Sequence, residues 1–288
     1  MDFFAWLVPW EPVPLWWAAF AAAALLFLRG CRARRAGLAR RILFWSGLAL
    51  TWLVLQTRLD LYAQHLFFVH RAQHLVLHHL GPLLIMGAYP GQVLRAGLPA
   101  GGRRALVDFQ QTLAGRATRA LLTHVVLIPV VFVLMVLVWL APSVQFISML
   151  DGRLYHVMNG SVIISGLLYW NLVLDRRPSP PAAMRPGARV LSPVLTMAPQ
   201  MAAGAIIAFT ERDLYPVFEL CGRALGMTAR VDQLVGGMII WIPAAFIELV
   251  GLLIALRILM QLSERGRLRS ADREVRSLGR ARTRSTGT

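Results

Sequence analysis

Long apolar runs recur over almost the whole chain, and they confine it to structures that can lie in a lipid bilayer. They fall at about Val13–Leu28, Arg41–Gln56, Leu61–Ala88, Arg119–Ala141, Arg153–Leu174, Arg189–Phe209 and Asp232–Leu259. A helix needs roughly 17–25 residues to cross the hydrocarbon core, and most of these runs have that length. The first two are short, so the second is expected to tilt or to be half buried. No alternating barrel pattern is visible, and helices are the other structure that satisfies every backbone group in lipid. With 57% hydrophobic and 15% charged residues, the expectation is an all-α polytopic membrane bundle of seven transmembrane helices.

Charge sets the orientation. The net charge of +16 comes from 30 basic residues, all of them arginine. They cluster between apolar runs, which marks membrane topology and argues against nucleic-acid binding. Arg29, Arg32, Arg34, Arg35 and Arg40 follow the first run, Arg95, Arg103, Arg104 and Arg116 the third, and Arg176, Arg177 and Arg185 the fifth. The alternate connections are arginine-poor or balanced by acids, as in Glu211-Arg212-Asp213. The N-terminus is therefore expected outside and the C-terminus in the cytoplasm. Residues 1–262 form the transmembrane domain, and 263–288 an arginine-rich cytoplasmic tail, disordered or lying on anionic headgroups. Arg176-Arg177-Pro178-Ser179-Pro180-Pro181 is too proline-rich for helix. The start, Met1-Asp2-Phe3-Phe4, carries no basic region of a removable signal peptide. Cys31 and Cys221 fall on opposite sides and cannot pair with each other.

The third run carries His70, His74 and His78 at i, i+4 and i+8, with His79 next to the last. Ionisable side chains within a span are functional candidates, because lipid offers them no partner. At about 100° per residue the three form one stripe. Neighbours in it lie roughly 6 Å apart, within reach of one ion, whereas the outer two are about 12 Å apart. One chelating pair plus a third histidine is the pattern that results, and a hydrogen-bonded polar seam is its structural alternative. His79 turns about 100° away and reads as structural, and His65 as solvated near the interface.

Orientation draws other residues toward the same outer half: His156 one turn into the fifth helix, Asp232 and Met238 at the start of the seventh, and Met197 and Met201 of the sixth. His124 lies at the cytoplasmic end. Imidazole with thioether suits copper, the cuprous ion in particular, while zinc would take the histidines and Asp232 but not methionine. Each methionine is equally at home as packing, and Asp232 is equally a helix cap. His70, His74, His78, His156, Asp232 and Met238 are the metal-ligand candidates.

His70-x-x-Gln73-His74, with Gly81-Pro82-Leu83-Leu84 and Gly87-Ala88-Tyr89-Pro90, resembles a block of the CtaG-type assembly factors for caa3-type cytochrome c oxidase. Tyr155-His156 with Gly166-Leu167-Leu168-Tyr169-Trp170, Asp213-Leu214-Tyr215-Pro216, and Asp232-Gln233 through Trp241-Ile242-Pro243 resemble further blocks. The resemblance spans the third to seventh helices. It implies a seven-helix protein of the bacterial cytoplasmic membrane that serves assembly of a haem–copper oxidase by delivering copper to one of its subunits, without catalysis. It also implies a second histidine about a turn after His156, where Asn159 stands instead.

Other readings remain at this level. His74-x-x-x-His78-His79 is similar to one histidine box of membrane di-iron desaturases and hydroxylases, although no second box follows. Haem held between His74 and His156 is another. A transporter would be expected to show repeated halves, and none is visible. Gly160, Gly236 and Gly237 would allow close helix contact, including contact in a homo-oligomer.

Overall fold

The structure, a computed structural model, describes the backbone of residues 12–285 and the side chains of residues 12–266. The N-terminal residues 1–4 and most of the 263–288 tail lie outside the residues whose side chains are described. Helices follow one another in the order α1 (Pro14–Ala33), α2 (Leu38–Gln56), α3 (Arg58–His65), α4 (Phe67–His74), a π-helical segment (Leu75–Leu80) and α5 (Gly81–Gly87). Then come α6 (Gly91–Gly97), α7 (Ala100–Gln111), α8 (Leu113–Leu122), α9 (Leu127–Leu140), α10 (Pro142–Leu150), α11 (Gly152–Val173), α12 (Pro186–Phe209), α13 (Val217–Leu220) and α14 (Ala229–Ser285). No strand occurs among the described residues.

Local chemistry places many of the boundaries. Proline opens α1, α10 and α12, where its missing N–H costs nothing. Thr57, Thr112 and Asp151 cap α3, α8 and α11 by accepting backbone N–H groups. His124 is exposed, and its Nδ1 accepts from the Leu127 N–H at 3.1 Å, at the start of α9.

By length and apolarity, four helices are able to cross a bilayer: α1, α2, α12 and the Ala229–Gly266 part of α14. A fifth is counted if α8 and α9, bent by 61°, form one broken span. This is fewer than the seven expected, and the reason lies in the interior. The 58–87 region is interrupted at Leu66, whose backbone is extended, and again by the π segment. The 22-residue α11 carries Arg153, Asn159, Ser161, Ser165 and Asn171, which lower its apolarity. Both regions that escape the count carry buried polar residues, and α12 and α14, which qualify, carry others.

Close helix crossings depend on missing side chains. A Cβ on Gly166 of α11 would sit 2.3 Å from the His78 carbonyl oxygen, so only glycine lets α11 lie against the π segment. At the α12–α14 crossing, a Cβ on Gly237 would meet the Ala208 nitrogen at 2.6 Å. Gly236 and Gly237, candidates for contact between chains, therefore have their close contacts within this one. In the core, Phe132 of α9 is sandwiched between His78 and Tyr169, with ring centroids 4.0 Å from each.

Candidate metal site and buried polar interior

The first polar group is built on α4. His70, Arg71, Gln73 and His74 are all buried, with His70 0% and His74 8% exposed. The rings of His70 and His74 stand 4.5 Å apart, as the i, i+4 spacing dictates. Gln145 of α10 binds both neighbours: its Oε1 accepts from Arg71 Nη2 at 2.9 Å, and its Nε2 lies 3.3 Å from His70 Nε2. Arg71 also lies over the Phe67 ring, 5.2 Å from its centroid.

Two ring nitrogens of this pair, His70 Nδ1 and His74 Nε2, are buried without a hydrogen-bond partner. Asn159 of α11 faces His74 and Tyr155, but both of its amide atoms lack a full hydrogen bond as well. Buried polar atoms are nearly always satisfied, and these four, with Arg71 Nε beside them, are five of the eight unpartnered buried side-chain atoms among the described residues. Asn159, at the position where the resemblance implied histidine, is the side chain brought against His74. His156 is half-buried and lies toward Asp60.

Beside this pair, Asp60 of α3 organises a second set of bonds. Its Oδ1 accepts from Gln73 Nε2 at 2.6 Å and from the Tyr155 hydroxyl at 2.7 Å, and its Oδ2 accepts from Gln64 at 3.1 Å. Gln73 also donates to the Val54 carbonyl at 2.8 Å. These bonds fix α4 against α2, α3 and α11.

The other candidates are placed elsewhere. Asp232 is fully buried, and its two oxygens accept the N–H groups of Phe67 and Phe68 at 3.0 and 2.8 Å. It is also paired with Arg223. Met238 is 41% exposed on the outside of the bundle, and Met197 and Met201 are half-buried. None of the three methionines is enclosed with the histidines. His65 is half-buried, with Nδ1 2.8 Å from the Leu61 carbonyl.

Further along the same run lies a third group. His78 and His79, on the π segment, meet Ser165 of α11, Gln200 and Thr196 of α12, and Glu248 of α14. His78 Nε2 is 3.1 Å from Ser165 Oγ, and the Nδ1 atoms of the two histidines are 3.3 Å apart. His79 Nε2 is 3.1 Å from Gln200 Oε1 and 3.3 Å from Glu248 Oε1. Glu248 also accepts from Gln200 Nε2 and from the Thr196 hydroxyl, both at 2.8 Å. A wider π turn sets successive side chains closer in angle than the α-helix does, so His78 and His79 both face inward. His79, read from the sequence as structural, is thus a buried residue of this hydrogen-bonded network. A small cavity lined by Arg71, His74, His78, His79 and Gln200 joins this group to the first.

Glu248 and Asp60 were both missed in reading the sequence. Glu248 had a signal, since it is the only acid between Asp232 and Leu259. Asp60 had none, because it borders a run and looks solvated. Among the described residues, no three His, Cys, Asp or Glu side chains are grouped so that they could hold a metal ion.

An all-helical chain with membrane-length apolar helices around buried histidine, amide and carboxylate groups is a polytopic membrane protein with a polar interior. The family model described as "Cytochrome c oxidase caa3 assembly factor (Caa3_CtaG)" matches residues 18–262, and the chain belongs to that family. Comparisons with curated proteins and with solved structures gave no match.

Proposed function

We propose that this oxidase assembly factor binds copper at His70 and His74 and passes it, without catalysis, to a subunit of a haem–copper oxidase. The observation that carries this reading is the pair of buried, unpartnered ring nitrogens, His70 Nδ1 and His74 Nε2, with Asn159 unsatisfied beside them. The copper is cargo. Two imidazoles without a thioether can hold copper in either oxidation state. A two-ligand site is also open enough to release its ion by ligand exchange, as delivery requires.

The reading includes seven crossings: α1, α2, the continuous α4–π–α5 run, α9, α11, α12 and α14. The run from Phe67 to Gly87 is helical throughout and, at about 1.5 Å per residue, close to bilayer thickness. The arginine pattern then puts the N-terminus outside and the C-terminus in the cytoplasm of a bacterial inner membrane. His70 and His74 would lie in the outer half, where copper arrives from outside.

The test is metal analysis with a visible spectrum on detergent-purified wild type and on the His70→Ala/His74→Ala double variant. Copper in the wild type, lost in the variant, with no Soret band, supports the reading. A Soret band, iron without haem, or a copper content unchanged in the double variant overturns it.

A further inference from the structure

The corner between α7 and α8 leaves an apolar stripe uncovered. No residue of α7 is buried, and α8 buries only Gly115. At about 100° per residue, Leu113, Ala117, Ala120 and Leu121 share one arc of roughly 100° on α8. Arg116 flanks that arc and Arg119 stands nearly opposite it. Leu113 is 78% and Leu121 56% exposed, so nothing among the described residues covers the stripe. The corner itself is fixed. The Thr112 hydroxyl donates to the Phe109 carbonyl at 2.7 Å and accepts the Gly115 N–H at 3.0 Å. A Cβ on Gly115 would overlap the Phe109 carbonyl, so only glycine permits so close a turn.

Its place in the fold indicates what covers it. Three arginine-rich connections meet at one end of the bundle. Arg34 Nη1 donates to Gln92 Oε1 at 2.8 Å, and the guanidinium groups of Arg40 and Arg176 lie 5.8 and 3.8 Å from the Tyr89 ring centroid. Beside them α6 packs on α1, and α7 and α8 lead on from α6. At its far end α8 bends by 61° into α9. There Val130, Leu134 and Val138 are exposed at i, i+4 and i+8, a stripe suited to lipid. Residues 91–126 hold five arginines and a single acid, Asp108. Arg103, Arg104, Arg116 and Arg119 are exposed, and none is paired with an acid among the described residues. An apolar stripe with arginines beside it, joined by a bend to a lipid-facing helix, is the form of a helix lying in a membrane interface. The unpaired positive charge selects anionic headgroups as its partner.

We propose that the α7–α8 corner lies in the plane of the membrane and binds anionic phospholipid at the arginine-rich end of the bundle. Leu113 and Leu121 dip into the acyl boundary, while Arg116 and Arg119, with Arg103 and Arg104, hold the lipid phosphates. Only the assignment of this end to the cytoplasmic leaflet rests on the orientation given above. The lipid contact itself is independent of copper binding.

The experiment uses the full-length protein in phosphatidylcholine vesicles, with and without phosphatidylglycerol. On a Cys31→Ser/Cys221→Ser background, Leu113→Cys or Thr118→Cys carries an environment-sensitive fluorophore. Leu121→Cys is a second reporter on the apolar stripe, and thermal melts identify the variants that fold. The label at 113 is expected to be quenched by a nitroxide at headgroup level and shielded from aqueous iodide. The label at 118 should be open to iodide. Phosphatidylglycerol should shift the emission at 113 to the blue, and Arg116→Gln/Arg119→Gln should abolish that shift. Stripe labels as open to iodide as the one at 118 overturn the membrane contact. Stronger quenching by a deep nitroxide overturns the in-plane placement and makes α8 part of a span. Labels shielded from both quenchers show a protein cover, a second copy included, and also overturn it. A blue shift that needs no phosphatidylglycerol, or that survives in the arginine double variant, overturns the binding of anionic lipid.

Discussion

The Asp232 carboxylate stands 2.8 Å from the backbone N–H of Phe68, at the start of a helix to which it does not belong. Leu66 precedes α4 and offers that helix no side-chain cap, so the acid of α14 supplies it across a separation of 164 residues. An acid at the first turn of its own helix would ordinarily be read as that helix's cap, and here the same chemistry acts in trans.

Asp232→Ala is expected to destabilise the protein by about 1–3 kcal/mol, because two N–H groups lose their acceptor and Arg223 loses its buried partner. Asp232→Asn, which keeps one acceptor oxygen, should lose less. Thermal melts in detergent measure both. Copper stoichiometry in Asp232→Asn should equal that of wild type, and a lost ion in a folded variant would make Asp232 a ligand.

Met238→Leu should leave copper binding unchanged. Its side chain is 41% exposed on the outside of the bundle, away from the enclosed histidines. Cu+ competition titration is the check, and a weakened affinity would bring the thioether into the site.

Tyr155→Phe removes one of the donors to Asp60 and should cost about 1–2 kcal/mol. Asp60→Ala should cost more, because Gln73 and Tyr155 then lose their acceptor together. The two changes should couple in a double-mutant cycle, since they act on one bond. Additive losses of stability would show that the bond contributes little.

Gly166→Ala should be among the most damaging small substitutions. Its methyl group would meet the His78 carbonyl oxygen at 2.3 Å, and relieving such a clash typically costs 1–3 kcal/mol, that is, about the range of core overpacking. Because α11 must move away from the π segment, the Glu248–His79 group should loosen as well. Melting temperature should therefore fall, and a normal melt would refute the packing account.

Much of the plan could be read along the chain. Composition placed it in a membrane because long apolar runs have no other solvent-compatible solution, and the period of the helix put His70 and His74 on one stripe. Both are local properties. The seven-run pattern exceeded the helices that qualify by length and apolarity, because the 58–87 region is broken at Leu66 and α11 carries enough polar residues to lower its apolarity.

What the tertiary structure alone decided depends on partners far away in sequence. His79 turns inward because the helix widens to a π turn where α11 approaches over Gly166, and no property of residues 75–80 by themselves specifies that register. Glu248 becomes its partner, Asp60 the acceptor for Gln73 and Tyr155, and Asp232 the cap of α4 only once the helices have packed. A buried polar group must find its complement wherever the fold brings one. The sequence determined which residues needed a partner, and packing decided which partner each received.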